Sequence, residues 1–436
     1  MRAERLDLRL TADAKKVVLL FFRISKERCN RILERIFSLS QSQVESSFKS
    51  VNSEFSSRHK NFEDKLLFHY MKVKKYIKGK KELSEKTKLL IGAYFSKEYS
   101  IESAALFNPS IVPHPNQEGV SDGELKFVMS LRATGEGHIS SIEFREGIIS
   151  VEGNVRLINE SVYKSLAQKD VFSLKKIKEK KLSGMILPEK EVEKVRESNY
   201  VCSFDDDSMI SERVLFPSTA AERMGLEDAR FVRFDDEGTS KYYGTYTAYN
   251  GKTFRTQIIE TADFQNFEIG TLHGHLVKDK GMALFPRKIN GKYFITSRQD
   301  GENLYMMEST NIYLWEKAEK ILEPSHWWGF IQVGNCGSPI ETEKGWLLLT
   351  HEVGRLRNYV ISAILLDLEN PYKVIGRLNE PLLEPRGDER EGYVPNVVYS
   401  CGSLVHNNNL IIPFAMSDSA CGFAKIEINR LLQKLV

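Results

Sequence analysis

In the stretch RMGLEDARFVRF (Arg223 to Phe234), two adjacent carboxylates, Glu227 and Asp228, stand between Arg223 and Arg230. Phe231, Val232 and Phe234 follow directly and read as the start of a strand. A carboxyl group among cations can donate, accept or hold a proton, and its neighbours decide which. The same spacing also suits a solvated turn with charges on its rim. The choice depends on whether other polar residues arrive at the same place.

The elements that would bring them there are visible from Leu106 onward, where short apolar runs are broken by Gly, Asn and Asp. Units of strand, turn, strand, polar break and alternating third strand begin at Asn108, Glu227, Met282, Gly337 and Pro395. The last four starts are about 55 residues apart, near the roughly 40–50 residues of propeller blades. This predicts an all-β core, a five-bladed β-propeller, since radial repetition leaves only short, protected sheet edges. The second strands end in Arg132, Tyr246 with Thr247, Arg298, His351 with Glu352, and Asp418; the first strands start with Asn108, Glu227, Asp228, Lys280 and Asn396. In a radial array these positions converge on one end of a central channel. Aromatic residues (Tyr246, Phe285, Trp327, Trp328, Tyr393) would complete a pocket suited to sugar rings, with apolar C–H faces and hydroxyl rims. Taken singly, Arg132 and Arg298 also suit ion pairs between blades, His351 a buried core histidine, and Trp327-Trp328 a packed loop.

The remaining sequence bounds the setting. The 436 residues are 41% hydrophobic and 28% charged with a formal net charge of +3, so composition points to a globular protein and gives no argument for nucleic acid. Basic runs at Lys72–Lys81 and Lys175–Lys181 read as solvated faces. Five scattered cysteines (Cys29, Cys202, Cys336, Cys401, Cys421) have no metal-ligand spacing and suggest a reducing, cytoplasmic compartment. The early apolar run Val17 to Phe22 is too short to span a bilayer. Val44, Phe48, Val51 and Phe55, then Phe62, Leu66, Tyr70, Val73 and Ile77, recur at helical spacing, so residues 1–103 are expected to form a helical N-terminal extension. Residues 104–436 then form the propeller, with an extra strand at Ile148 to Ile158 and a helical or loop insertion at about 169–200.

From about Asn108 to Ile428 the chain resembles glycoside hydrolase family 130, the mannoside phosphorylases and β-1,2-mannosidases. The resemblance lies in GLEDARFV, ALFPRKINGKYF, GNCGSPIETEKGWLLLTHEV, AILLDLENPYKVIGRL, EGYVPNVVYSCG and SDSACGFA, taken in this order. It implies a five-bladed propeller that cleaves β-mannosides with inversion. Asp228 would be the catalytic acid, in the slot often written E-D-P-R, where Ala229 replaces the proline; Arg230 matches that motif's arginine. Asp418 matches a carboxylate that binds the non-reducing sugar. His351 matches the histidine of a Y-H-G motif here written Thr-His-Glu, and Arg298 stands in Ser-Arg-Gln where N-R-P is frequent. Lys280 and Arg255 lie near basic phosphate-contacting positions. SLRATGEGHISS (Ser130 to Ser141) departs from the pattern.

Inverting cleavage needs an acid for the leaving oxygen and a nucleophile on the opposite face of the sugar. Similar enzymes relay the acid's proton through a substrate hydroxyl. Phosphorolysis supplies an anionic nucleophile, so the protein would hold inorganic phosphate as co-substrate with Arg298, His351, Lys280 and Arg255. Asn108, Arg132, Arg230, Tyr246, Tyr393 and Asp418 would bind sugar. Hydrolysis would instead need a base, Glu227 or Glu352. Phosphorolysis is slightly favoured; a non-catalytic sugar-binding propeller is the third reading. No cofactor or metal, no nucleic acid and no membrane is expected, an oligosaccharide is the expected partner, and a homo-oligomer is compatible with the sequence.

Overall fold

The computed structural model describes residues 1–77, 82–169 and 189–435. They divide into two compact units: Met1–Ala12 with Ala104–Glu160 and Leu166–Val436, and Asp13–Ser103 with Ser161–Ser165.

The larger unit has an all-β core. Its strands fall into successive antiparallel groups in which each strand pairs with its sequence neighbour. The first contains Ala105–Pro113, Leu125–Thr134, Ser140–Ile149 and Val155–Ile158. The second contains Gly225–Asp236, Thr239–Tyr249, Phe254–Thr261 and Asn266–Thr271. A parallel bridge between Gly225 and Ser140 joins these two into one sheet. Shorter groups follow around Tyr293–Ser297, Gly345–Val353 and Asn409–Met416.

Apolar layers lie between consecutive groups, as alternation demands of strands covered on both faces. Phe144 packs with Phe231 and Phe264, Phe234 with Tyr293, and Phe285 with Trp346. Leu349 and Ala363 share a core with Ile412 and Phe414. Phe423 of the last group meets Phe127 of the first at 6.4 Å between ring centroids. The strand Glu4–Thr11 pairs antiparallel with Ala420–Glu427, so the chain's own beginning completes the last group.

The smaller unit holds helices Lys26–Phe37, Gln41–Phe55, Phe62–Val73 and Glu85–Tyr94, and an antiparallel pair, Val17–Phe21 with Ser96–Ser100. Ser40 and Gln43 form a reciprocal capping box at the start of the second helix. Leu33, Ile36, Val44, Tyr70, Leu90 and Phe95 share its core. The stretch 1–103, expected to be helical, thus also contains strands. In Glu4–Thr11 the signal is period-two alternation: Leu6, Leu8 and Leu10 are half-buried, while Asp7, Arg9 and Thr11 are exposed. Of the expected insertion at 169–200, residues 170–188 lie outside the described residues; Glu189–Ser198 is a helix, and Tyr200–Ser203 is a strand paired with Asn266–Thr271. Among the described residues no helix is long and apolar enough to cross a membrane.

Candidate functional site

Two matching irregularities in the first strands of the first two groups build the site. Pairing of Ala105–Pro113 with its neighbour skips between Phe107 and Ser110, and pairing of Gly225–Asp236 skips between Glu227 and Arg230. The skipped residues include Asn108 and Asp228, both left-handed (φ 51° and 55°). Asn and Asp tolerate this region better than other residues with a Cβ, and a bulge re-aims the side chain that it carries. The two bulges meet: Asn108 Nδ2 donates to Asp228 Oδ1 at 2.7 Å.

Arg132, at the end of Leu125–Thr134, clamps the carboxylate pair. Its Nη1 donates to Asp228 Oδ1 at 3.1 Å and its Nη2 to Glu227 Oε1 at 2.9 Å, while Nε donates to Ser140 Oγ at 2.9 Å. Lys280 Nζ donates to the other Glu227 oxygen at 2.7 Å. Burial pushes the Asp228 carboxyl upward, but the charges of Arg132 and Arg230 outweigh it and hold the group below its ordinary value. Asp418, left-handed at the end of Asn409–Met416 (φ 52°), behaves oppositely. Burial first, then the charge of Asp228, pushes its carboxyl from 3.8 to about 6, with Arg132 and Arg357 opposing. Two carboxylates in one site are therefore driven apart in acidity, which separates a proton holder from an ionised partner.

A cationic wall adjoins this pair. The buried Arg230 donates from Nη1 to the carbonyl of Asp228 at 2.8 Å and from Nη2 to the hydroxyl of Tyr399 at 2.6 Å. Arg298 approaches Asp279 at 3.5 Å. Nε of both arginines is buried without a partner. Gly281 lies between them: a Cβ there would stand 3.6 Å from Arg230 Nη2 and 3.7 Å from Arg298 Nε. His351 Nδ1 donates to the carbonyl of Asn335 at 3.2 Å, and Nε2 lies 3.2 Å from the Gln332 amide. Burial, then the charges of Arg298 and Arg230, hold its pKa well below the ordinary imidazole value, so the ring is neutral. Its ring also packs on Tyr399 at 4.9 Å.

Asn108, Glu227, Asp228, Arg230, Arg132, Lys280, Arg298, His351 and Asp418 are therefore brought into one connected set. Other sequence-derived candidates are not. Tyr246 is buried on the opposite strand face from Thr245 and Thr247, and its hydroxyl donates to Glu222 at 2.6 Å. Glu352 follows His351 in Gly345–Val353, so its side chain takes the other face, where Arg377 Nη2 donates to it at 3.1 Å. Arg255 lines a separate cavity of about 480 Å³ with His273 and Asp279. Phe285 is core, and Tyr393 is an exposed rim residue (72%) beside His138. Reading strand ends missed Tyr399, Gln332 and Gly281. Tyr399 stands in the quoted stretch EGYVPNVVYSCG, three residues beyond Asn396, where a first-strand side chain can return to the axis. Among the described residues no cluster of three His, Cys, Asp or Glu side chains is arranged to hold a metal ion.

A family profile described as β-1,4-mannooligosaccharide phosphorylase, of glycoside hydrolase family 130, matches residues 206–435. A 1,2-β-oligomannan phosphorylase from Thermoanaerobacter sp. (strain X514) is 35% identical over 223 residues, 50% of this chain and 74% of that protein. A β-1,2-mannobiose phosphorylase from the same organism is 35% identical over 252 residues, 55% of this chain and 80% of its own length. Among solved structures, a glycosyl hydrolase from Bacteroides ovatus aligns with a TM-score of 0.52 at 18% identity, over 76% of this chain and 87% of that one. At that identity the likeness shows the fold.

Proposed function

The chain belongs to glycoside hydrolase family 130, and from that premise we propose that it is an inverting β-mannoside phosphorylase acting on β-1,2-linked manno-oligosaccharides. The similar phosphorylases of β-1,2-oligomannan and β-1,2-mannobiose support the linkage. We read the strand groups as the blades of a five-bladed β-propeller, with the described helices of Asp13–Ser103 as an N-terminal extension; the apolar layers between successive groups and the Phe423–Phe127 contact support this.

The observation that carries phosphorolysis is the pair Arg230 and Arg298. Arg230 has a carbonyl and a phenol as its hydrogen-bond partners, both arginines keep an unpartnered buried Nε, and both guanidinium groups flank Gly281. An anion placed there gains charge-assisted hydrogen bonds from donors already in position. Neither candidate base for hydrolysis is similarly available. Both oxygens of Glu227 are held by cations, and Glu352 faces away.

In the proposed reaction a phosphate oxygen attacks the anomeric carbon of the non-reducing mannose. The bond to the leaving oxygen breaks, that oxygen takes a proton, and mannose 1-phosphate forms with inverted configuration. Asp228 relays the proton by way of a sugar hydroxyl: hydrogen phosphate brings that proton, Asp228 passes it on, and the leaving oxygen carries it away while mannose 1-phosphate departs as the dianion. Arg132 and Arg230 keep Asp228 ionised in the free protein, while Asp418 beside it holds a proton up to about pH 6. Phosphate binding at Arg230 and Arg298 offsets part of that positive field, which raises the proton affinity of Asp228 when the nucleophile is in place. The unpartnered Oδ1 of Asn108 is positioned to accept from a sugar hydroxyl. Incubating the protein with β-1,2-mannobiose, with and without phosphate, tests the proposal: mannose 1-phosphate is expected only with phosphate.

A further inference from the structure

A second cavity, of about 780 Å³, lies between the loop carrying Trp327 and Trp328 and the turn at Arg355–Asn358. Such a volume is typical of sites for small organic ligands. Trp327 is 61% exposed, and Trp328, though buried, has an unpartnered indole N–H. The two rings stand nearly perpendicular at 5.8 Å, and the Arg355 guanidinium lies 5.0 Å from the Trp327 ring.

The loop is held by devices beneath it. Trp328 stacks on His326 at 4.1 Å, and Gly329 N donates to the His326 carbonyl at 2.8 Å. The fully buried Glu352 lies so close that a Cβ on Gly329 would meet its Oε2 at 2.4 Å. Arg377 ties Glu352 to Ser325 at the start of the loop. Gly354 lets the turn pack directly on the loop, since a Cβ there would stand 2.1 Å from the Trp328 carbonyl oxygen. Glu352, a candidate base in the sequence, is thus the anchor of a rigid aromatic platform.

Two residues that line this cavity adjoin the axial set through their neighbours. In the turn, Asn358 lines the cavity, while its neighbour Arg357 acts electrostatically on Asp418. Asn396 also lines the cavity, and its carbonyl accepts from N–H of Tyr359, whose ring stacks on His351. We propose that the cavity binds the part of the manno-oligosaccharide beyond the scissile linkage, with a sugar ring stacked on the exposed Trp327 and hydroxyls met by Asn358. This rests on the reading of the axial site as a mannoside phosphorylase. It makes the protein selective for chains longer than a disaccharide.

The test compares wild type with Trp327→Ala, a change at an exposed side chain that leaves the loop's anchors intact. Phosphorolysis of β-1,2-linked mannobiose and mannotetraose is followed by mannose 1-phosphate release. The variant should lose about 3- to 10-fold in kcat/KM on the tetraose, the range of an aromatic stacking contact, and less than about twofold on the disaccharide. Equal losses on both, or none on either, overturn the proposal. Binding of mannotetraose, measured by calorimetry in the absence of phosphate, separates it from the functional reading. If no phosphorolysis occurs at all, the reading of the axial site fails. Weaker tetraose binding by the variant then still supports the cavity's role, and equal or absent binding refutes it.

Discussion

The acidity of Asp418 converts directly into a stability effect that a single substitution exposes. Its carboxyl is pushed from 3.8 to about 6 by burial and by the charge of Asp228, with Glu227 adding to the push and Arg132 and Arg357 opposing it. Between these values the native protein holds a proton that the unfolded chain has released, so stability falls as pH rises. The contribution of the protonated form is complete below about pH 4 and is lost as pH passes through about 6. The whole interval corresponds to about 3 kcal/mol. Asp418→Asn retains the shape and removes the titration. Relative to wild type it should be nearly neutral at pH 4 and more stable by about 3 kcal/mol at pH 8. Scanning calorimetry from pH 4 to pH 8 measures this, and a stabilisation of that size in a unit this large shifts the transition by about 3–6 °C. A difference between the proteins that does not change with pH, or an asparagine variant less stable at pH 8, refutes the assignment of burial and Asp228 as the cause.

Further substitutions test other parts of the structure. Asp228→Asn should lower turnover by about 10²–10⁴-fold with sugar binding largely kept, as expected for loss of a general acid; calorimetric titration with mannobiose checks the binding half. Arg298→Ala should raise the KM for phosphate far more than that for sugar, since it removes a donor to the anion; initial rates over both concentrations decide this. Glu352→Ala should destabilise the fold by about 1.5–3 kcal/mol, because half-buried Arg377 loses its charge-assisted hydrogen bond to the buried carboxylate. Denaturant unfolding reads that loss, and an unchanged midpoint would remove Glu352 from the anchoring role.

The parts of this account that the sequence makes legible are those where period and turn chemistry agree. The repeats from Asn108 onward mark strands whose alternation is repeated in the packed layers, and Glu-Asp-x-Arg marks the bulge because Asp tolerates the left-handed region at Asp228. Strand-end position alone places Tyr246 and Glu352 beside Thr247 and His351, but adjacent residues in a strand point to opposite faces, so these two side chains reach Glu222 and Arg377 instead. The strand Glu4–Thr11 was hidden because its partner, Ala420–Glu427, lies at the other end of the chain. The acidity of Asp418 is invisible in sequence, since it arises from groups that only folding assembles.

The most direct test of the central claim is the phosphate dependence of β-1,2-mannobiose cleavage by the wild-type protein, with both products identified by NMR. The account predicts that without phosphate nothing is released. With phosphate, mannose and mannose 1-phosphate should appear in equal amounts, the latter as the α-anomer that inversion requires. Release of free mannose alone, at a rate indifferent to phosphate, would contradict the assignment of Arg230 and Arg298 to an anion and make the nucleophile water.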